Sequence, residues 1–280
     1  MIDGMGAAAF EGYVPFHGYR TWYRMVGEPS PGTLPLVCLH GGPGSSHYYF
    51  TRIEALADEG RQVVLYDQLG CGESDRPDDD SLWTVELFVA EIQAVRDALG
   101  LDRIHLLGTS WGGMLAQEYA LTQPAGLESL VLSSTLASSD QWVGETQRLL
   151  AELGPGAGED EFMAAHFVRL DPPPPELELW RTKRNTTIYE TMWGPNEWTC
   201  TGRLAGWDVR DRLGEIRVPT LVVHGAYDMC TPPIAKTLVD GIPGAEYALM
   251  EHSAHAPVLE EPERYRAVVG DFLDRVEARL

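Results

Sequence analysis

The sequence of 280 residues has few basic side chains, few cysteines and no long apolar run. Lysine and arginine number 21 against 42 aspartates and glutamates, so the net charge is −21 and charge alone disfavours binding to nucleic acid or to an anionic membrane. No segment approaches the roughly 18 apolar residues of a membrane-spanning helix. The first ten residues contain no basic side chain and no long apolar run, so we expect no signal peptide there.

The four cysteines are scattered along the chain and form neither a CxxC pair nor a metal-ligand spacing with histidine. We therefore expect reduced thiols in a cytoplasmic protein, with no metal and no cofactor. The hydrophobic share of 44% and the charged share of 22% are typical of a globular chain with a large core, and they exclude a disordered chain.

Short apolar runs alternate with helical patterns through the first half of the chain and again near its end. Runs of roughly four to six apolar residues between helices are typical of a parallel sheet that helices cover on both faces. The predicted strands are residues 34–39, 62–66, 103–107, 127–132, 220–224 and 247–250, and the predicted helices beside them are 81–99, 111–122, 232–240 and 262–280.

A helical segment without predicted strands interrupts this alternation between residues 137 and 211. The prolines at 172–175 break it, because proline cannot continue a helix. We therefore predict an α/β core domain formed by residues 1–136 and 212–280, with a helical cap (lid) domain inserted at 137–211. The helices predicted within the cap are residues 141–153, 159–170 and 176–192.

The segment Gly108-Thr109-Ser110-Trp111-Gly112 fits the pattern G-x-S-x-G. Because the chain has 29 glycines, the bare pattern is weak evidence. Its position between a predicted strand and a predicted helix strengthens it, since this strand–turn–helix geometry pushes the serine hydroxyl outward. Ser110 is therefore the candidate nucleophile, and it needs a base to take its proton.

The candidate base is His255, in the loop between the last predicted strand and the last helix, and His252 is the alternative. The candidate acid that orients this base is Asp228, which follows the predicted strand 220–224. Asp67 is the alternative acid, although its segment is better interpreted as a turn braced by its own side chain. Five other histidines are interpreted as structural: His40, His47, His105, His166 and His224.

Two backbone N–H groups are predicted to form an oxyanion hole. One belongs to Trp111, directly after the nucleophile, and the other to Gly42 in the loop HGGPG at residues 40–44. Glycine lets this loop approach a substrate closely.

HGGPG at residues 40–44 and GTSWGG at 108–113 resemble the α/β-hydrolase superfamily, and in particular the proline iminopeptidase (prolyl aminopeptidase) family of serine peptidases. The segments DQLGCGES, GPNEW and HSAHAPVLEEPE match the same family, so the resemblance covers nearly the whole chain. It implies an α/β-hydrolase fold, with a mostly parallel sheet and an inserted helical cap. It also implies removal of one N-terminal residue, often proline, from a short peptide or aminoacyl amide through an acyl-enzyme intermediate, without a metal. The implied triad is Ser110, Asp228 and His255.

The resemblance also implies that acidic residues hold the free amino group of the substrate, and Glu197 in GPNEW matches one of them. Some family members carry a second glutamate directly after the triad aspartate, where this chain has Met229. This departure leaves open bulkier substrates, including a natural-product intermediate with an aminoacyl group. Met229 and four aromatic residues of the cap are further candidates for contact with the substrate: Trp180, Tyr189, Trp193 and Trp198.

Two other functions stay open at this point. A general ester or lactone hydrolase would use the same triad, with no ammonium for Glu197 to bind. A ligand-binding protein on a hydrolase scaffold would bind without turnover. The sequence defines neither the acyl residue and the leaving group nor the oligomeric state.

Overall fold

The computed structural model describes residues 7–280 and has an eight-stranded sheet at its centre. The strand order is β1-β2-β4-β3-β5-β6-β7-β8. The first two strands form an antiparallel hairpin, β2 pairs antiparallel with β4, and the remaining neighbours are parallel. The strands are β1 (Ala9–Phe16), β2 (Tyr19–Val26), β3 (Leu36–Leu39), β4 (Val63–Tyr66), β5 (Ile104–Thr109), β6 (Leu127–Ser133), β7 (Thr220–Gly225) and β8 (Glu246–Met250).

Helices pack on the two faces of this sheet. The α-helices are α1 (Val85–Leu99), α2 (Trp111–Leu121), α3 (Ser139–Glu152), α4 (Glu159–His166), α5 (Pro175–Lys183), α6 (Thr186–Met192), α7 (Pro232–Gly241), α8 (Pro257–Glu260) and α9 (Pro262–Glu277). The 3₁₀ helices are His47–Glu59, Asp80–Leu82 and Arg210–Glu215. Within residues 7–280, no helix has both the length and the apolar character needed to cross a membrane.

Alternate residues of the central strands feed two separate cores. In β3, Val37 and Leu39 pack with α1 and α2 on one face, whereas Leu36 and Cys38 pack with α9 and the 3₁₀ helix His47–Glu59 on the other. Since side chains alternate across a strand, a strand covered on both faces must be apolar at every position. This explains why β3 and β4 are continuous apolar runs in the sequence.

The predicted α/β fold is confirmed, and so are the six strands that the sequence indicated. The hairpin of β1 and β2 was missed. Its turn is His17-Gly18, both with positive φ, and this pair is a weaker hairpin signal than Asn-Gly. Phe10 and Tyr13 of β1 are also exposed, so the strand lacks a clear apolar alternation.

Two predicted cap helices were wrong in extent. The helix predicted over 159–170 ends at His166, and the one predicted over 176–192 is two helices, α5 and α6. Arg184 between them is extended, and the side chain of Asn185 accepts hydrogen bonds from the backbone N–H groups of Thr187 and Ile188. Asparagine favours such a capping position, so it starts a new helix. The helices α3 to α6, which we call the cap helices, lie between β6 and β7 in the chain.

Candidate active site

Ser110 occupies the sharp turn between β5 and α2. Its φ of 53° and ψ of −122° lie outside the ordinary regions for a residue with a side chain. The turn is fixed from outside, because the hydroxyl of Thr135 donates a hydrogen bond to the carbonyl oxygen of Ser110 at 2.6 Å. A Cβ on Gly112 would lie 2.2 Å from the carbonyl oxygen of Leu39, so only glycine lets α2 approach the sheet here. The strand–turn–helix setting predicted from the sequence is present.

Asp228 and His255 meet at the carboxyl ends of the neighbouring strands β7 and β8. Nδ1 of His255 donates to Oδ1 of Asp228 at 2.7 Å, and the backbone N–H of Cys230 donates to the same oxygen at 2.8 Å. Both side chains are buried. The imidazole lies between Trp142 and Phe167, with ring centroids 5.7 and 5.9 Å away. These contacts hold the ring in one orientation.

Burial and charge act in opposite directions on His255. Burial by itself would lower the pKa of His255, because it disfavours the charged imidazolium. The charge of Asp228 and its hydrogen bond favour the imidazolium and prevail, so the pKa of His255 lies above its usual value. The pair therefore has the electrostatics of a base that is stabilised after it takes a proton.

A cavity of about 260 Å³ lies between the sheet and the cap helices. Ser110 and His255 both line it, and so do Gly42, Met229 and Glu197. The structure therefore brings five of the predicted site residues to one cavity, although they come from five separate segments of the chain.

In the part of the chain that the structure describes, the loop at residues 40–44 leaves the predicted oxyanion-hole donor Gly42 without an internal acceptor. Gly42 has a φ of 113°, and a Cβ there would lie 2.7 Å from the backbone nitrogens of Gly44 and Ser45. Among the described residues, no hydrogen-bond acceptor pairs with the backbone N–H of Gly42 or of Trp111. Both groups can therefore donate to an incoming oxyanion.

Gln68, which follows β4, connects this loop to the turn at Ser110. Its Oε1 accepts a hydrogen bond from the indole N–H of Trp111 at 2.8 Å. Its Nε2 donates to the carbonyl oxygen of His40 at 2.9 Å, and its backbone N–H donates to Nε2 of His40 at 3.0 Å. The segment DQLGCGES contains Gln68, but its sequence does not reveal that Gln68 connects these turns, because the partners of Gln68 follow other strands.

Glu197 lies in the loop after α6 and is half-buried against the cavity. The hydroxyl of Tyr189 donates to its Oε1 at 2.8 Å. Burial raises the pKa of Glu197, whereas the hydrogen bond from Tyr189 and the nearby His255 oppose the rise. A cation next to this carboxylate would be favoured, because it compensates for the lost hydration.

Two of the predicted substrate contacts lie elsewhere. Among the described residues that line the cavity, neither Trp193 nor Trp198 occurs. The indole of Trp193 donates to the carbonyl oxygen of Asn196 at 3.0 Å, and the ring of Trp198 packs against Phe162 at 5.1 Å. Both rings therefore contact other residues of the cap and lie outside the described lining of the cavity. The other two candidate aromatic residues of the cap, Trp180 and Tyr189, do line the cavity, together with Tyr49 and Phe167.

The alternative acid and base have other roles in the structure. Asp67 accepts hydrogen bonds from the backbone N–H of His47 at 2.7 Å, from Nδ1 of His47 at 2.9 Å and from the backbone N–H of Glu73 at 2.9 Å. It braces its own turn, as the sequence indicated. His252 is exposed on the surface. The histidines interpreted as structural each bond to a protein partner: His40, His47, His105, His166 and His224.

One cluster has the composition of a metal site. His224, Asp228 and Cys230 each offer a ligand atom within 4.8 Å of the others. Each is engaged by a protein partner, since His224 bonds to Gly225 and Tyr247, Asp228 to His255, and the thiol of Cys230 to the carbonyl oxygen of Thr135. Hydrogen bonds therefore account for the cluster, and the expectation of a metal-free site stays a prediction.

Comparison with known proteins gives one consistent result. The α/β-hydrolase fold family matches residues 35–262. A proline iminopeptidase of Lactobacillus delbrueckii subsp. bulgaricus is 42% identical in an alignment 287 positions long, which covers 94% of this chain and 97% of the relative. The solved structure of VinJ superposes with a TM-score of 0.90 at 38% identity, covering 95% of this chain and 99% of that one. The structure of a proline iminopeptidase from Mycobacterium smegmatis gives 0.89 at 37% identity, covering 96% and 99%.

Proposed function

Because this chain belongs to the proline iminopeptidase family of the α/β-hydrolase fold, we propose that it is a serine aminopeptidase. It removes an N-terminal residue, proline or another small one, from a short peptide or an aminoacyl amide. The observation that carries the proposal is the position of His255. It is hydrogen-bonded to the buried Asp228 and lines the same cavity as Ser110 and Glu197.

The proposed reaction has two steps. The hydroxyl oxygen of Ser110 attacks the first carbonyl carbon of the substrate, while Nε2 of His255 takes the hydroxyl proton and Asp228 stabilises the imidazolium. The backbone N–H groups of Gly42 and Trp111 hold the oxyanion. His255 then gives its proton to the leaving amine, the C–N bond breaks and an acyl-enzyme remains. His255 then takes a proton from a water molecule, whose oxygen attacks the ester carbon. The C–O bond to Ser110 breaks, His255 returns the proton to the serine oxygen, and the amino acid leaves.

Glu197 gives this mechanism its preference for a chain end. Its carboxylate is half-buried, is bonded to Tyr189 and lies in the cavity with the nucleophile. Only the first residue of a peptide carries a free amine beside its first carbonyl, so an ammonium held at Glu197 selects that residue for cleavage. Met229 is buried and contributes an apolar wall where some family members have a second carboxylate. We therefore expect a weaker hold on the amine than two carboxylates would give.

The proposal is tested with matched anilide substrates. Prolyl-anilide and alanyl-anilide are compared with N-acetylprolyl-anilide, using the wild type, Glu197→Gln and the control Glu178→Gln. Glu178 lies on α5, is exposed and does not line the cavity. We expect Glu197→Gln to lower kcat/KM for the free-amine substrates by about 100-fold, about 2.7 kcal/mol, since it removes one partner of a shielded charge pair. The control should stay within twofold of the wild type.

An aminopeptidase is excluded if acetylation of the substrate does not slow cleavage. In that case the alternative is an ester or lactone hydrolase. The apolar wall formed by Met229, Phe167 and Trp180 favours it. It predicts rapid turnover of short neutral acyl esters that does not depend on Glu197.

The proposal also includes the domain boundaries, the kind of substrate and the cellular location. Residues 137–211 form the cap domain over a core made of residues 1–136 and 212–280, which agrees with the position of the cap helices in the chain. The substrate is a small molecule or short peptide with a free amino group. A cytoplasmic location is supported by the four cysteines, which are free thiols in the structure.

A further inference from the structure

Arg184 places a guanidinium at the wall of the active-site cavity. It directly follows α5, is exposed, and lies over the ring of Trp180 with 5.5 Å between Cζ and the ring centroid. Trp180 is itself fixed, because its indole N–H donates to the hydroxyl of Ser45 at 2.6 Å. Among the described residues that line the cavity, Arg184 is the single lysine or arginine.

This guanidinium has no internal carboxylate partner. Its neighbours on α5 are paired, Lys183 with Glu73 at 2.6 Å and Arg181 with Glu178 at 3.8 Å. Within residues 7–280, no carboxylate lies within ion-pair distance of Arg184. Its charge is therefore available to a ligand in the cavity.

The described cavity wall also contains three carboxylates. Glu197 is half-buried within it, and the exposed Glu159 and Glu190 also line it. With a net charge of −21, the protein as a whole repels anions. An anionic group that binds well in this cavity must therefore meet a local cation, and Arg184 supplies it.

We propose that Arg184 forms a subsite for a carboxylate in the leaving group, which is the C-terminal carboxylate of a dipeptide or tripeptide. The inference rests on the proposed function, in which Glu197 binds the ammonium of the same substrate. A short peptide carries both charges close to its first amide bond, whereas a longer peptide carries its carboxylate away from the cavity. The planar fork of arginine suits a carboxylate, and stacking on Trp180 limits the freedom of the side chain.

The subsite is tested with three substrates of one acyl residue. Prolyl-alanine has a free carboxylate, prolyl-alanine amide has none, and prolyl-anilide has no second residue. Each is measured with the wild type, Arg184→Gln, Arg184→Lys and the control Arg181→Gln, which removes an exposed arginine of α5 outside the cavity. The quantity of interest is the acid-to-amide ratio of kcat/KM. Comparing this ratio between variants cancels the intrinsic difference between the two leaving amines.

We expect Arg184→Gln to lower the acid-to-amide ratio by about five- to tenfold, as for a partly exposed charged hydrogen bond. Arg184→Lys should retain part of the ratio, and Arg181→Gln all of it. Added salt should narrow the difference in this ratio between the wild type and Arg184→Gln, because it screens the exposed guanidinium, whereas the overall negative charge is nearly the same in both. Prolyl-anilide has no carboxylate, so Arg184→Gln should lower its kcat/KM less than that of prolyl-alanine.

Failure of the subsite and failure of the proposed function give different results. If the wild type cleaves prolyl-anilide but Arg184→Gln leaves the acid-to-amide ratio unchanged, the subsite is wrong and the aminopeptidase stands. The subsite is equally wrong if Arg181→Gln lowers the ratio as much as Arg184→Gln does. If the wild type cleaves none of the three substrates, the proposed function itself fails. Since Arg184 is exposed, its replacement should not change the melting temperature, which is measured in parallel.

Discussion

Oε1 of Gln68 accepts a hydrogen bond from the indole N–H of Trp111 at 2.8 Å, while Nε2 of the same carboxamide donates to the carbonyl oxygen of His40. One buried side chain thus joins the turns that follow three adjacent strands, β4, β3 and β5. Two of these turns carry the N–H groups proposed for the oxyanion hole. The distance between these two N–H groups therefore depends on the carboxamide of Gln68, which takes no part in the reaction itself.

The first prediction concerns the hydrogen bond between Gln68 and Trp111. We expect Gln68→Leu to lower kcat by about tenfold while KM changes by less than twofold, because the oxyanion forms only after the substrate has bound. Trp111→Phe, which removes the indole N–H, should have a similar effect. The double variant should lose less than the sum of the two single variants, since both break the same hydrogen bond.

The measurement is steady-state kinetics on prolyl-anilide, with the melting temperature as a check on folding. Additive losses in kcat, or equal changes in kcat and KM, would show that Gln68 does not act through Trp111. An effect on the melting temperature alone would assign Gln68 a purely structural role.

The second prediction separates the two candidate acids. We expect Asp228→Asn to lower kcat by about 10³- to 10⁴-fold, because the imidazole loses the carboxylate that orients it and stabilises its charged form. Asp67→Asn should lower the stability by about 2 kcal/mol, since Asp67 is buried and accepts three hydrogen bonds within its turn. Its kcat should fall less than tenfold. Kinetics and thermal unfolding of the two variants check this, and the reverse pattern would make Asp67 the acid.

The third prediction concerns the pH profile. The neutral imidazole of His255 is the base, and Asp228 raises the pKa of His255 above the ordinary value of 6.5. We therefore expect kcat/KM to fall on acidification with a midpoint above pH 6.5, since kcat/KM reports the ionisation of the free enzyme. In Asp228→Asn the remaining activity should fall at a lower pH, because the burial that lowers the pKa of His255 is then opposed only by the charges of Glu197 and Glu260.

Glu197 is a second group whose pKa is raised, so the Glu197→Gln variant serves as the control for this profile. If the acidic fall in kcat/KM belongs to His255, it persists in Glu197→Gln, with its midpoint moved to lower pH because the charge of Glu197 also raises the pKa of His255. A fall that disappears in this variant would assign the profile to Glu197 instead.

The fourth prediction concerns stability away from the active site. Glu277 of α9 accepts hydrogen bonds from Arg61 at 2.6 Å and from the backbone N–H of Leu34 at 2.6 Å, and it contacts Nε2 of His105 at 3.1 Å. Burial by itself would raise the pKa of Glu277, but these partners lower it to about 2 from the ordinary 4.5. A lowered pKa means that the carboxylate stabilises the folded state above about pH 4.5 and that this contribution is lost as the pH falls towards 2.

We therefore expect Glu277→Gln to destabilise the protein by about 3 kcal/mol at pH 7. The difference from the wild type should shrink steadily below pH 4.5. Chemical unfolding at several pH values measures this, with Asp271→Asn, an exposed carboxylate of the same helix, as the matched control. A difference that does not depend on pH would show that the charge of Glu277 contributes nothing.

Short sequence patterns were enough to predict much of the fold. The apolar runs of β3 to β7 and the glycines around Ser110 identify their structures within a few residues of sequence, because burial on both faces and a sharp turn each need particular residue types. The hairpin of β1 and β2 and the break at Arg184 escaped prediction. Their signals are a His-Gly turn and an asparagine cap, which are weak until the surrounding packing is known.

For the candidate site too, the sequence determined some features and the tertiary structure determined others. The sequence by itself determined the residue types and the chain order of Ser110, Asp228 and His255, since these follow from motifs and from positions after predicted strands. Only the tertiary structure decided that Trp193 and Trp198 lie outside the cavity, whereas Arg184 and Gln68 have partners or positions that matter to it. The physical reason is that contacts across neighbouring strands and between sheet and cap depend on distances that chain separation does not fix. The sequence specifies which groups are present, and the packing of separate segments specifies which of them meet.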